Sequence, residues 1–123
     1  MLYQKHFIPL ESDPAVFSKL MHNLGGSTSL QFVDVWSIND TMQLALIPRP
    51  VLALILVLPT SKAYEQRKFT EEAARETYNG GGDGEDVIWF KQTINNACGL
   101  YAILHAVCNV RMENRLGKFN FRA

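Results

Sequence analysis

The chain has 123 residues, of which 47% are hydrophobic and 11% aromatic, a balance that suits one domain with a modest core and excludes disorder. Twelve lysines and arginines offset twelve aspartates and glutamates, so no global field draws the protein to nucleic acid or to an anionic membrane, and neither is an expected partner. Any partner must be recognised by a local surface.

The N-terminal stretch MLYQKHFIPLESDP is broken by Lys5, His6, Pro9 and Glu11 and offers no apolar run for a signal peptide. The cytoplasm or the nucleus is therefore the expected location. The following SDPAVFSKLMHNLGG reads as a helix, with Ser12 or Asp13 as N-cap, Pro14 in the first turn, and Gly25 and Gly26 at the C-terminal end. Val16, Phe17, Leu20, Met21 and Leu24 recur at three- and four-residue spacing, which gives that helix one face to bury.

LQFVDVWSI has the β-branched and aromatic bias of a short strand. NDTMQLALI predicts a helical turn stopped by Pro48 and Pro50, whose rings forbid its continuation. The run Val51 to Leu58 is almost uninterruptedly apolar, far too short for a bilayer, and predicts a strand buried on both faces. Without neighbours on both sides it would be exposed and aggregation-prone.

TSKAYEQRKFTEEAARETY predicts a solvated, charged helix, with Tyr64, Phe69, Ala73 and Ala74 as its only candidate buried stripe. NGGGDGED predicts a flexible linker. It lacks the Gly-Lys-Ser/Thr ending that would make it a phosphate loop. VIWF then leads, as a short strand or an extended segment, into QTINNACGLYAILHAVCN.

That last segment holds both cysteines. Cys98 and Cys108 are ten positions apart on one expected helix, about 15 Å at 1.5 Å per residue, beyond disulfide reach. Asn95 or Asn96 is a candidate cap, which would put Cys98 in the first turn, where free N–H groups and the helix dipole favour a thiolate. On residue chemistry alone a packed core thiol is the commoner fate of cysteine. Gln92, six residues earlier, carries a carboxamide that could serve an oxyanion, or could be an ordinary polar loop residue.

His105 is displaced from Cys98 by about 10 Å along the helix axis, too far to take its proton, and reads as a structural histidine bonded to backbone. His105 and Cys108 form an HxxC pair, but no second ligand pair accompanies them, so no metal site is expected. His6 and His22 read as surface or core residues.

Four segments together, PLESDP, LQFVDVW, IPRPVLALILVLP and QTINNACGLYAILHAVCN, resemble the ubiquitin carboxyl-terminal hydrolases, in the order and with gaps similar to those of that family. The resemblance runs from about Phe7 to Asn109 and leaves 110–123 divergent, so residues 1–123 are expected to form a partial catalytic domain. It implies an α/β (α+β) papain-like fold in truncated form: a helical lobe, two to three strands and the nucleophile helix.

The resemblance also implies a thiol protease that cleaves adducts from the C-terminal glycine of ubiquitin, with no cofactor. Cys98 would be the nucleophile and Gln92 the oxyanion-hole side chain, while Pro9, Leu10, Glu11, Ser12, Asp13 and Pro14 would touch ubiquitin or a ubiquitin-like protein. The family's general base is a histidine well downstream of the cysteine, oriented by a following aspartate, and no position up to Ala123 matches either. The expectation is a chain inactive by itself; the alternative reading is a catalytically dead ubiquitin-binding fragment or an unproductive truncated product.

Overall fold

The computed structural model of the protein describes residues 3–81 and 84–110. Their elements run β1 (Lys5–His6), α1 (Pro14–Asn23), α2 (Thr41–Ala45), α3 (Lys62–Ala73), β2 (Ile94–Asn95) and α4 (Cys98–Cys108). The result is a mixed helical architecture with few strand residues. All but Val110 of the divergent stretch expected over 110–123 lies outside the described residues, as do Gly82 and Asp83 of the glycine-rich loop.

Helix α1 starts and stops for local reasons. Asp13 is the N-cap, and its Oδ1 accepts the N–H groups of Ala15 at 2.7 Å and Val16 at 3.2 Å, while Pro14 takes the position that needs no donor. At the other end Gly25 adopts φ 101°, open to glycine at no steric cost. There the Gly25 N–H bonds the His22 carbonyl and the Gly26 N–H bonds that of Met21, closing the last turn.

The core is an exchange between two helices. Phe17 and Met21, one turn apart on α1, meet Ile103 and Val107, one turn apart on α4, with Leu10, Leu20, Leu30, Phe32 and Ile55 packed around them. Burial of each such side chain stabilises the fold by roughly 1.5–3 kcal/mol. The Phe32 ring meets Phe17 edge-on, centroids 5.5 Å apart.

The two strands foreseen from composition are not strands. In LQFVDVWSI, the Phe32 N–H donates to Ser18 Oγ at 2.8 Å and the Leu30 carbonyl accepts from His22 Nε2 at 2.8 Å, so side chains of α1 take backbone groups that a ladder would have used. The Val51 to Leu58 run has no sheet neighbour among the described residues, and instead of being buried it leaves Leu54 74% and Leu56 76% exposed. Apolar composition alone cannot pair a backbone. The observed ladder is elsewhere: β1 and β2 run parallel with Lys5 opposite Ile94 and His6 opposite Asn95.

The chain divides into two compact units, Leu56–Ile88 and the remainder. The smaller holds α3, capped by Ser61 and carrying the i,i+4 pairs Arg67–Glu71 and Lys68–Glu72 on its surface. The candidate buried stripe fails there, because Tyr64, Phe69, Ala73 and Ala74 are all exposed, as suits a solvated helix. A hydrogen bond from the Tyr78 hydroxyl to Glu85 spans the glycine-rich loop and, by stabilising the protonated phenol beside a carboxylate, raises the Tyr78 pKa. Among the described residues no helix is long and apolar enough to cross a membrane.

Candidate functional site

The ladder places the site. Parallel pairing of β1 with β2, extended by the Phe7 N–H to the Asn95 carbonyl at 2.9 Å, brings the N-terminal segment beside the chain that leads into α4. Asn95 also donates its side-chain N–H to His6 Nδ1 at 2.9 Å, a contact across 89 positions of sequence. Among the described residues VIWF is not part of the β1–β2 sheet, and Phe90 at its end gives its N–H to His105.

Cys98 is the first residue of α4 and is exposed, so it is not the core thiol that residue frequencies favour. Cys108, at the far end, is the buried one, and neither cysteine is in a disulfide. Leu100, Ile103, Leu104 and Val107 give α4 its apolar spacing, and Tyr101 anchors the first turn from outside. Its hydroxyl oxygen accepts the Thr93 N–H at 3.2 Å and lies 3.4 Å from Thr93 Oγ1. The side-chain hydroxyl first, and then the backbone N–H, favour the phenolate and lower the Tyr101 pKa.

The cap of α4 differs from expectation. Neither Asn95 nor Asn96 caps it: the Asn95 amide is turned to His6, and Asn96 sits at φ 58° in the left-handed region that asparagine tolerates. Ala97 occupies the cap position, with no side-chain bond to the first-turn amides. The opening N–H groups of α4 thus meet no capping side chain.

Gln92 lies on the other side of β2, half-buried, and its Nε2 donates to the Ile94 carbonyl at 2.9 Å. A carboxamide nitrogen has two N–H groups, so this bond fixes its orientation and leaves the second proton to donate elsewhere. Of the segment Pro9 to Pro14, Asp13 and Pro14 are engaged in starting α1, Pro9, Glu11 and Ser12 are exposed, and Leu10 packs inward onto α4.

Each of the three histidines holds a hydrogen bond. His105 Nε2 accepts the Phe90 N–H at 2.8 Å while its ring stacks on Trp89 with centroids 5.0 Å apart; His22 bonds the Leu30 carbonyl; His6 bonds Asn95. Among the described residues no three His, Cys, Asp or Glu side chains gather to hold a metal.

Gly99, the Thr93–Tyr101 pair and the left-handed backbone of Asn96, a residue expected only as a candidate cap, are not foreseen from the sequence. A signal existed for two of them: a glycine in the second position of a helix costs roughly 1 kcal/mol against alanine and so hints at a close neighbour, and asparagine before a helix hints at left-handed backbone.

The chain matches the family model described as ubiquitin carboxyl-terminal hydrolase, family 1, over residues 7–120. It is 39% identical over 102 residues to ubiquitin carboxyl-terminal hydrolase YUH1 of Saccharomyces cerevisiae, covering 83% of this chain and 39% of that protein. It is 39% identical over 110 residues to a ubiquitin carboxyl-terminal hydrolase of Aplysia californica, covering 89% and 47%. To human ubiquitin carboxyl-terminal hydrolase isozyme L1 it is 33% identical over 109 residues, covering 89% and 46%. The chain thus spans somewhat less than half the length of these curated relatives. With the family match running through nearly the whole sequence, including both sides of the Cys98 helix start, the chain belongs to ubiquitin carboxyl-terminal hydrolase family 1.

Proposed function

We propose that this chain carries the nucleophile and the oxyanion-binding part of a papain-like thiol protease that cleaves adducts from the C-terminal glycine of ubiquitin, working in the cytoplasm or nucleus. The observation that carries the reading is the placement of Cys98: exposed, at the first position of a helix whose opening amides meet no capping side chain. Relatives named as ubiquitin carboxyl-terminal hydrolases support the substrate class.

The chemistry follows from these groups. The Cys98 thiolate attacks the carbonyl carbon of the ubiquitin C-terminal glycine, and the carbonyl electron pair moves onto oxygen. The first-turn N–H groups and the second Gln92 N–H would donate to that oxyanion, a role worth about 3–4 kcal/mol per donor in comparable hydrolases. Collapse expels a protonated amine or alcohol and leaves a thioester, which water hydrolyses to restore the thiol. Residues Pro9 to Pro14 would hold ubiquitin beside the helix start.

Protonating the leaving group needs a general acid, and His22 and His105 hold backbone groups through Nε2 while His6 holds the Asn95 amide through Nδ1. The chain by itself is expected to react at Cys98 without sustained turnover; the alternative reading is a catalytically dead ubiquitin-binding fragment. Ubiquitin bearing a C-terminal electrophile is expected to label Cys98 covalently and to leave the Cys98→Ala variant unlabelled. Failure to label the folded chain, under conditions that label a full-length relative, would reject the assignment.

A further inference from the structure

We infer that Leu10 is a positioning residue for Cys98, acting through a direct contact with Gly99; the consequence for ubiquitin cleavage rests on the function proposed above. A Cβ built on Gly99 would stand 3.0 Å from Leu10 Cβ and 3.1 Å from Leu10 Cδ2. Side-chain ends can rotate away, but Leu10 Cβ moves only with its backbone. A side chain at position 99 would therefore press the N-terminal segment and the second residue of α4 apart by a few tenths of an ångström.

The segment is held on both sides of that contact. Before it, the Phe7 N–H bonds the Asn95 carbonyl; after it, Asp13 caps α1, whose Phe17 and Met21 pack with Ile103 and Val107 of α4. Leu10 itself packs against this same core. Pro9 and Glu11 on either side are exposed. A load on that exposed surface reaches α4 through Leu10, and Gly99 is the immediate neighbour of Cys98. Docking on Pro9 to Pro14 and the placing of the sulfur are thus one mechanical event.

The test uses the full chain and two reagents, iodoacetamide and ubiquitin bearing a C-terminal electrophile, with modification at Cys98 read by mass spectrometry. Gly99→Ala is expected to slow alkylation of Cys98 by iodoacetamide by about three- to tenfold, because the displaced first turn moves the sulfur away from the helix-start amides that activate a cysteine nucleophile. The same change made in the Leu10→Gly background is expected to cost nothing further, because the opposing Cβ is gone, and that non-additivity is the signature of direct coupling. Equal cost in both backgrounds would overturn the inference.

Should Gly99→Ala fail to fold, Leu10→Ala alone is expected to slow alkylation and Leu10→Met, which keeps the apolar cover, to recover most of the rate; identical rates for the two would overturn it. Ubiquitin-electrophile labelling is expected to follow the same order. If iodoacetamide shows the coupling while the ubiquitin reagent labels nothing, positioning by Leu10 stands and the ubiquitin reading falls. If the ubiquitin reagent labels Cys98 while iodoacetamide rates are flat across the variants, the positioning role falls alone.

Discussion

Phe90 donates its backbone N–H to Nε2 of His105 at 2.8 Å, and the same ring stacks on Trp89 at an interplanar angle of 14°. An accepting Nε2 carries its lone pair toward Phe90, so the ring proton is on Nδ1 and the imidazole is held as a fastener between α4 and the segment before it. The only histidine on the Cys98 helix is thus committed to structure.

It follows that His105→Ala should lower stability, by about 1–3 kcal/mol for a part-buried donor left without its acceptor, seen as a fall in the urea midpoint. Alkylation of Cys98 in native buffer should hardly change. A large loss of Cys98 reactivity in the still-folded variant would return His105 to the chemistry.

Asn96 turns the chain from β2 into α4 at φ 58°. Asn96→Gly should therefore be nearly neutral in urea unfolding, whereas Asn96→Val should cost about 1–2 kcal/mol, since a β-branched side chain in left-handed backbone meets the following carbonyl. Equal stability of the two variants would mean the turn can be made another way.

Much of this was legible in the sequence, and the limits are physical. The Asp13 cap, the glycine stop of α1 and the exclusion of His105 as base depend on neighbours within a few positions, so local rules reach them. The family resemblance, carried by four collinear segments, anticipated the match over residues 7–120. The two expected strands were misread because a strand is a relation between segments: Phe32 was claimed by Ser18, and Val51 to Leu58 found no neighbour among the described residues. The cap of α4 was misread for a similar reason, since Asn95 is used by His6 from the far end of the chain.

Tyr101 supplies a pH-dependent contribution. Its hydrogen bonds from Thr93 lower its folded-state pKa below the ordinary tyrosine value of about 10, so the folded chain loses this proton before the unfolded chain does. The resulting stabilisation is fully present above about pH 10 and is lost as pH falls through the folded-state value. Thr93→Val, which deletes the hydroxyl and keeps the N–H, should move one phenol of the ultraviolet titration upward and reduce that alkaline stabilisation. Superimposable titrations would show that Thr93 does not govern Tyr101.

The most direct test is turnover of a fluorogenic amide of the ubiquitin C-terminus by the purified chain, beside a Cys98→Ala control and a full-length family member. Under the proposed roles of Cys98 and Gln92, and with His22 and His105 bonded to backbone through Nε2, the chain should show no sustained Cys98-dependent release, while still being labelled by the ubiquitin electrophile. Steady release at the rate of the full-length enzyme, abolished by Cys98→Ala, would contradict it and require a general base within these 123 residues.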